Sequence, residues 1–163
     1  MICRRMRPED LPEVIRIWNA CEDAGEVLYY PLSAEYFQRK FVEGPGCEPE
    51  NLIVAECDGR VAGFLHGVAP GTFPASRPGC AYLTVLLVDA SCRGRGIGRA
   101  LLNAFSERMA DRGAETLYIS SLNPVNLDWR IPEPPPHPRS SDPGCVFSGV
   151  RLSERCISWI KQN

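Results

Sequence analysis

Val88-Asp89-Ala90-Ser91-Cys92-Arg93-Gly94-Arg95-Gly96-Ile97-Gly98-Arg99-Ala100-Leu101-Leu102 leads from an apolar, β-rich stretch into a helix-periodic one. Glycines at such a turn let backbone N–H groups approach a ligand closely, and the helix N-terminus adds its partial positive charge. Together they favour a pyrophosphate, and Arg93 and Arg95 bring formal charge nearby. A dinucleotide fingerprint needs a third glycine at position 99, where Arg99 stands, and a P-loop needs Lys followed by Ser or Thr, which is absent. The bland alternatives are a flexible turn or a short RNA-binding segment.

On either side of this turn the pattern is alternately strand and helix. Upstream, Cys80 to Val88, with Tyr82, Thr84, Val85 and Val88, reads as a central buried strand. Downstream, Ile97, Ala100, Leu101, Ala104, Phe105 and Met109 recur at helical spacing, with Gly113 at the C-cap position. Thr116 to Ser121 then reads as a strand, completing a unit of the crossover type. Further back, Asn51 to Cys57 and Arg60 to Val68 form a hairpin across Asp58-Gly59, the signal for a type I′ turn. Ile2 to Met6 predicts a first strand and Pro8 to Cys21 a helix, and Ser33 caps a second helix whose Tyr36, Phe37 and Phe41 share one face.

The remainder is less regular. Seven prolines between Leu122 and Gly144 preclude a persistent helix or interior strand. Cys145 to Asn163 has the apolar content to return to the core, as strand or helix. The division expected is a core over 1–121, a proline-rich loop or linker over 122–144 and a C-terminal segment over 145–163. Trp129 and the prolines after it suit either a lid over a ligand or a linker.

Composition narrows the function classes. The 163 residues, 44% hydrophobic and 23% charged, suit one compact domain. A formal net charge of -2 gives no footprint for nucleic acid. The early charged residues and the lack of a long apolar run predict a cytoplasmic protein without a membrane role. None of the eight cysteines forms a Cys-x-x-Cys pair, and no cluster has metal-ligand spacing, so free thiols and no metal are expected.

Arg93-x-x-Gly96-x-Gly98 resembles the (Arg/Gln)-x-x-Gly-x-(Gly/Ala) signature of the GNAT superfamily of N-acetyltransferases. The resemblance extends from Arg7-Pro8-Glu9-Asp10-Leu11 through Ser121, with its specificity in residues 88 to 102. It implies an α/β fold with a mixed central sheet flanked by helices, splayed to admit acetyl-coenzyme A beside Cys80 to Val88. The cofactor-binding residues implied are Leu86, Leu87 and Val88 for the pantetheine arm and Arg93, Gly94, Arg95, Gly96, Ile97 and Gly98 for the pyrophosphate. The implied reaction is direct acetyl transfer from acetyl-CoA to a primary amine of a small molecule or protein. Dimers through sheet edges are common in this fold.

Two departures qualify the implied activity. Leu122 to Pro132 resembles a loop in the N-terminal half of tandem GNAT proteins, and no tyrosine follows Tyr118, so the family's usual general acid has no counterpart. A coenzyme A-binding regulatory or structural module with little turnover is therefore the alternative. Glu56, His66, Tyr82, Asp89, Tyr118, Asp128 and His137 are each conceivable as the base, and each has an ordinary structural role as well. The catalytic residues stay unassigned from sequence.

Overall fold

The computed structural model describes residues 1–26, 30–43, 47–72, 78–121 and 146–151. Six strands, β1 (Ile2–Arg5), β2 (Ile53–Cys57), β3 (Arg60–Val68), β4 (Cys80–Val88), β5 (Thr116–Ser121) and β6 (Val146–Arg151), lie side by side in chain order. Every neighbouring pair is antiparallel except β4 and β5, which are parallel because α3 (Ile97–Asp111) carries the chain between them. The α/β sheet flanked by helices follows the order expected. Within the C-terminal segment, residues 146–151 form a strand on β5; residues 122–145 and 152–163 lie outside the described residues.

The β2–β3 connection is a type I′ turn, with Asp58 and Gly59 both at positive φ, 53° and 74°. Near the start, the chain takes a single tight turn over Pro8–Asp10 before α1 (Leu11–Asp23), so the α-helix begins later than the proline signal suggested. The cause is Asp10, whose carboxylate accepts the Arg7 N–H at 2.7 Å and two Arg4 guanidinium bonds at 2.7 and 2.9 Å. Ser33 caps α2 (Ala34–Phe37) through the Tyr36 N–H at 3.1 Å. α2 then widens into a π-type turn over Gln38–Val42 and so carries Phe41 into the core.

Each face of the sheet has its own core. On one face α3 lays Ile97, Leu101, Phe105 and Met109 on Leu65, Ala81 and Leu117. On the other, Val14, Ile17, Trp18, Phe37 and Phe41 cover Val54, Phe64, Val85 and Leu87. Gly67 permits the close approach of α3, because a Cβ there would run into the Phe105 ring and lie 2.5 Å from the Tyr82 carbonyl oxygen. At the far end of α3, buried Glu48 accepts bonds from the Ala69 N–H at 2.6 Å, Asn51 at 2.8 Å and Arg112 at 2.6 Å. That network ties the last turns of α3 to the approaches of β2 and β3.

Candidate active site

The two neighbours of β4 treat it differently. β3 follows it through the Gly63–Val88 pair, whereas β5 pairs only with Cys80, Ala81, Tyr82 and Leu83. Ser120 and Ser121 instead pair with β6. Among the described residues, no strand accompanies Thr84–Val88 on the β5 side, so the sheet opens as a wedge with its apex at Leu83. A bulge assists the divergence: Val85 pairs with His66 and Leu83 with Gly67, leaving Thr84 as the extra residue.

The alternation of an antiparallel ladder decides which backbone groups face the opening. The Asp89 N–H donates to the Ala62 carbonyl at 2.9 Å, so Leu87 and Val85 also turn their amides toward β3. Leu86 and Val88 turn theirs into the wedge. Of the three residues expected to line an extended arm, Leu86 and the Val88 N–H lie on the free edge, the Val88 carbonyl accepts from Arg93, and Leu87 packs beneath α1.

At the open end of the wedge lies the turn quoted at the outset. The Asp89 carboxylate accepts from the Ser91 N–H at 2.9 Å and the Ser91 hydroxyl at 2.6 Å, and pairs with Arg16. The Ser91 hydroxyl, aided by Arg16, holds the Asp89 carboxyl down at about 2. Asp89 thus starts the turn and is committed to it. Gly96 occupies the N-cap of α3 at φ 75°, a left-handed conformation that suits glycine, and open space lies where its Cβ would be. Gly98 seats the first helical turn on β4, its Cβ position 3.6 Å from Leu86 and 3.7 Å from Val88. The first amides of α3 therefore open onto the end of the wedge.

The arginines are placed otherwise than their sequence suggested. Arg93 turns back toward α1, donating through Nη1 to Glu26 at 2.6 Å and through Nε and Nη2 to the Val88 carbonyl, each at 3.3 Å. The Glu26 carboxylate raises the Arg93 pKa, and Arg93 lowers that of Glu26. Arg95 pairs with Asp58 at 3.3 Å on the exposed hairpin. The formal charge of both is thus compensated within the chain. Arg99, exposed on the first turn of α3, forms no ion pair with any described residue. In the sequence it is only the residue that spoils a dinucleotide fingerprint; in the fold it is the third residue of α3, on the turn whose amides favour an anion.

The candidate bases separate in space. Glu56 lies on β2, held by Arg4 at 2.9 Å, two strands from the wedge. Asp128, Trp129 and His137 fall outside the described residues. His66, Tyr82 and Tyr118 gather at the wedge apex, on the face opposite α3. The two tyrosine rings stack at 5.3 Å, and His66 packs its edge on Phe41 at 5.0 Å. Burial pulls the His66 pKa down to about 4, so the ring is neutral at pH 7. All six cysteines among the described residues are free thiols. Among those residues no group of three or more His, Cys, Asp or Glu is placed to hold a metal ion, and no helix is long and apolar enough to cross a membrane.

A split parallel pair with an open helix N-terminus at its mouth defines a class of ligand-binding α/β sheet, and comparison with known proteins identifies which. The profile of the Acetyltransferase (GNAT) family matches residues 11–128, and this chain belongs to that family. L-2,4-diaminobutyric acid acetyltransferase from Nocardia farcinica is 32% identical over 126 residues, 75% of this chain and 59% of that protein. The chain thus spans about three-fifths of that relative's length. Among solved structures, a GNAT family acetyltransferase from Brucella melitensis in complex with acetyl-CoA superposes with a TM-score of 0.62 at 18% identity, over 93% of this chain and 88% of the other. An N-acetyltransferase from Staphylococcus aureus Mu50 gives 0.60 at 25% identity, over 78% of each.

Proposed function

We propose that the protein binds acetyl-CoA in the β4–β5 wedge and transfers the acetyl group directly to a primary amine of a small molecule. The observation that carries this reading is the departure of β5 from β4 after Leu83, in line with the Gly96 turn. The pantetheine arm takes the place of the missing strand, pairing with the backbone of Leu86 and Val88. The pyrophosphate sits on the amides from Gly94 to Gly98, with Arg99 beside it. The arm enters from the turn, so its thioester reaches the apex beside Thr84.

α3 covers one face of the sheet there, and the amine approaches from the other, over Tyr82 and Tyr118. The family supports acetyl-CoA as co-substrate, and the name of the Nocardia relative supports a small amine as acceptor. Holding both reactants in line supplies much of the rate without a strong base. Calorimetric titration with acetyl-CoA, followed by thiol release with a panel of small diamines and amino acids, tests the reading. Binding with release supports it, and binding without release leaves a coenzyme A-binding module.

A further inference from the structure

Thr84 is the bulged residue of β4 and the first beyond the pairing with β5, and its side chain is exposed at the apex of the wedge. Its hydroxyl does not hang free. Oγ1 lies 2.7 Å from His66 Nδ1 and 3.0 Å from the His66 carbonyl oxygen, to which it donates. His66 itself is 4% exposed, and its Nε2 is buried with no partner among the described residues.

The hydroxyl proton is committed in either imidazole tautomer. With the ring proton on Nδ1, the ring donates to Oγ1 and the hydroxyl donates to the His66 carbonyl; with it on Nε2, on the side where the Glu48 backbone faces the ring, the hydroxyl proton is shared between Nδ1 and that carbonyl. Either way Oγ1 keeps a lone pair, and as an acceptor only.

We propose that Thr84 receives an N–H of the acceptor amine and so aims the nitrogen lone pair at the thioester carbonyl, with His66 as the positioning residue that fixes the hydroxyl. The inference rests on the acetyl-transfer reading above. The step itself leaves Thr84 unchanged. The neutral amine nitrogen forms the C–N bond, the C–S bond breaks, the proton shed by the nitrogen ends on the departing sulfur, and the products are an amide and free coenzyme A. A hydroxyl fixed as an acceptor selects a nucleophile that has an N–H to spare after attack begins. Primary amines satisfy that condition, and tertiary amines do not.

The test uses the full chain with Thr84→Val and Thr84→Ser. Thr84→Val, which keeps the shape and removes the hydroxyl, is expected to leave acetyl-CoA affinity within about twofold and to lower kcat/KM for the amine by about tenfold or more. Thr84→Ser is expected to recover most of the loss. Turnover by Thr84→Val equal to wild type overturns the role given to Thr84 and leaves acetyl transfer standing. Failure of the wild-type chain to bind acetyl-CoA or to release thiol overturns the transfer reading and this inference with it.

Discussion

His66 makes the stability of the fold depend on pH in a window of its own. In the folded chain burial keeps the ring neutral until about pH 4, whereas an unfolded histidine protonates near pH 6.5. Between those values the unfolded state binds the additional proton, so stability falls as the pH is lowered. The full difference of about 2.5 units corresponds to about 3 kcal/mol, of which about 1.4 kcal/mol is lost by pH 5.5. The carboxylates with depressed pKa, Asp10, Glu26 and Asp89, hold stability that is lost only as the pH falls through the ordinary carboxylate range and below, so they contribute little between pH 7.5 and 5.5. Urea unfolding at pH 7.5 and 5.5, in a His137→Gln background, isolates the effect. The midpoint should move down by the equivalent of about 1.4 kcal/mol, and the shift should vanish when His66→Gln is added. Superimposable curves at the two pH values, or a His66 resonance titrating near pH 6.5, would refute the reasoning.

Four further outcomes follow from the site and its supports. Gly96→Val should abolish acetyl-CoA binding by calorimetry while costing about 1–2 kcal/mol of stability from its left-handed backbone, whereas Gly98→Ala, whose Cβ meets Leu86 and Val88 at ordinary contact, should bind normally. Arg99→Ala should weaken acetyl-CoA about tenfold, and the difference from wild type should shrink as salt is raised. Glu48→Ala should cost about 3 kcal/mol in urea unfolding, because it strands the Ala69 N–H and Asn51 in a buried network. Gly67→Ala should cost about 3 kcal/mol by forcing α3 and Phe105 off the sheet, with a lowered melting temperature as the readout.

Legibility in the sequence followed the range of the interactions. The hairpin was readable because Asp58-Gly59 encodes a local conformation, and α3 because Ile97, Leu101, Phe105 and Met109 keep their period over four turns. The Gly96 turn was readable for the same reason. The wedge was not, because it depends on β5 leaving β4 after Leu83, a pairing between segments more than thirty residues apart. Arg93 looks like a phosphate ligand within the six residues 93–98, and only the fold reveals Glu26 at 2.6 Å. His66 was one ambiguous histidine among several candidates until the bulge at Thr84 placed a hydroxyl on its Nδ1. Single residues whose roles come from distant partners leave no periodic trace.

The wedge and its turn are tested most directly by titrating the purified full chain with acetyl-CoA in a calorimeter, beside Gly96→Val. Saturable binding at one site per chain, lost in the variant while its unfolding stays cooperative, is the result predicted. Absence of binding in the wild-type chain, or equal binding in both, would contradict the account.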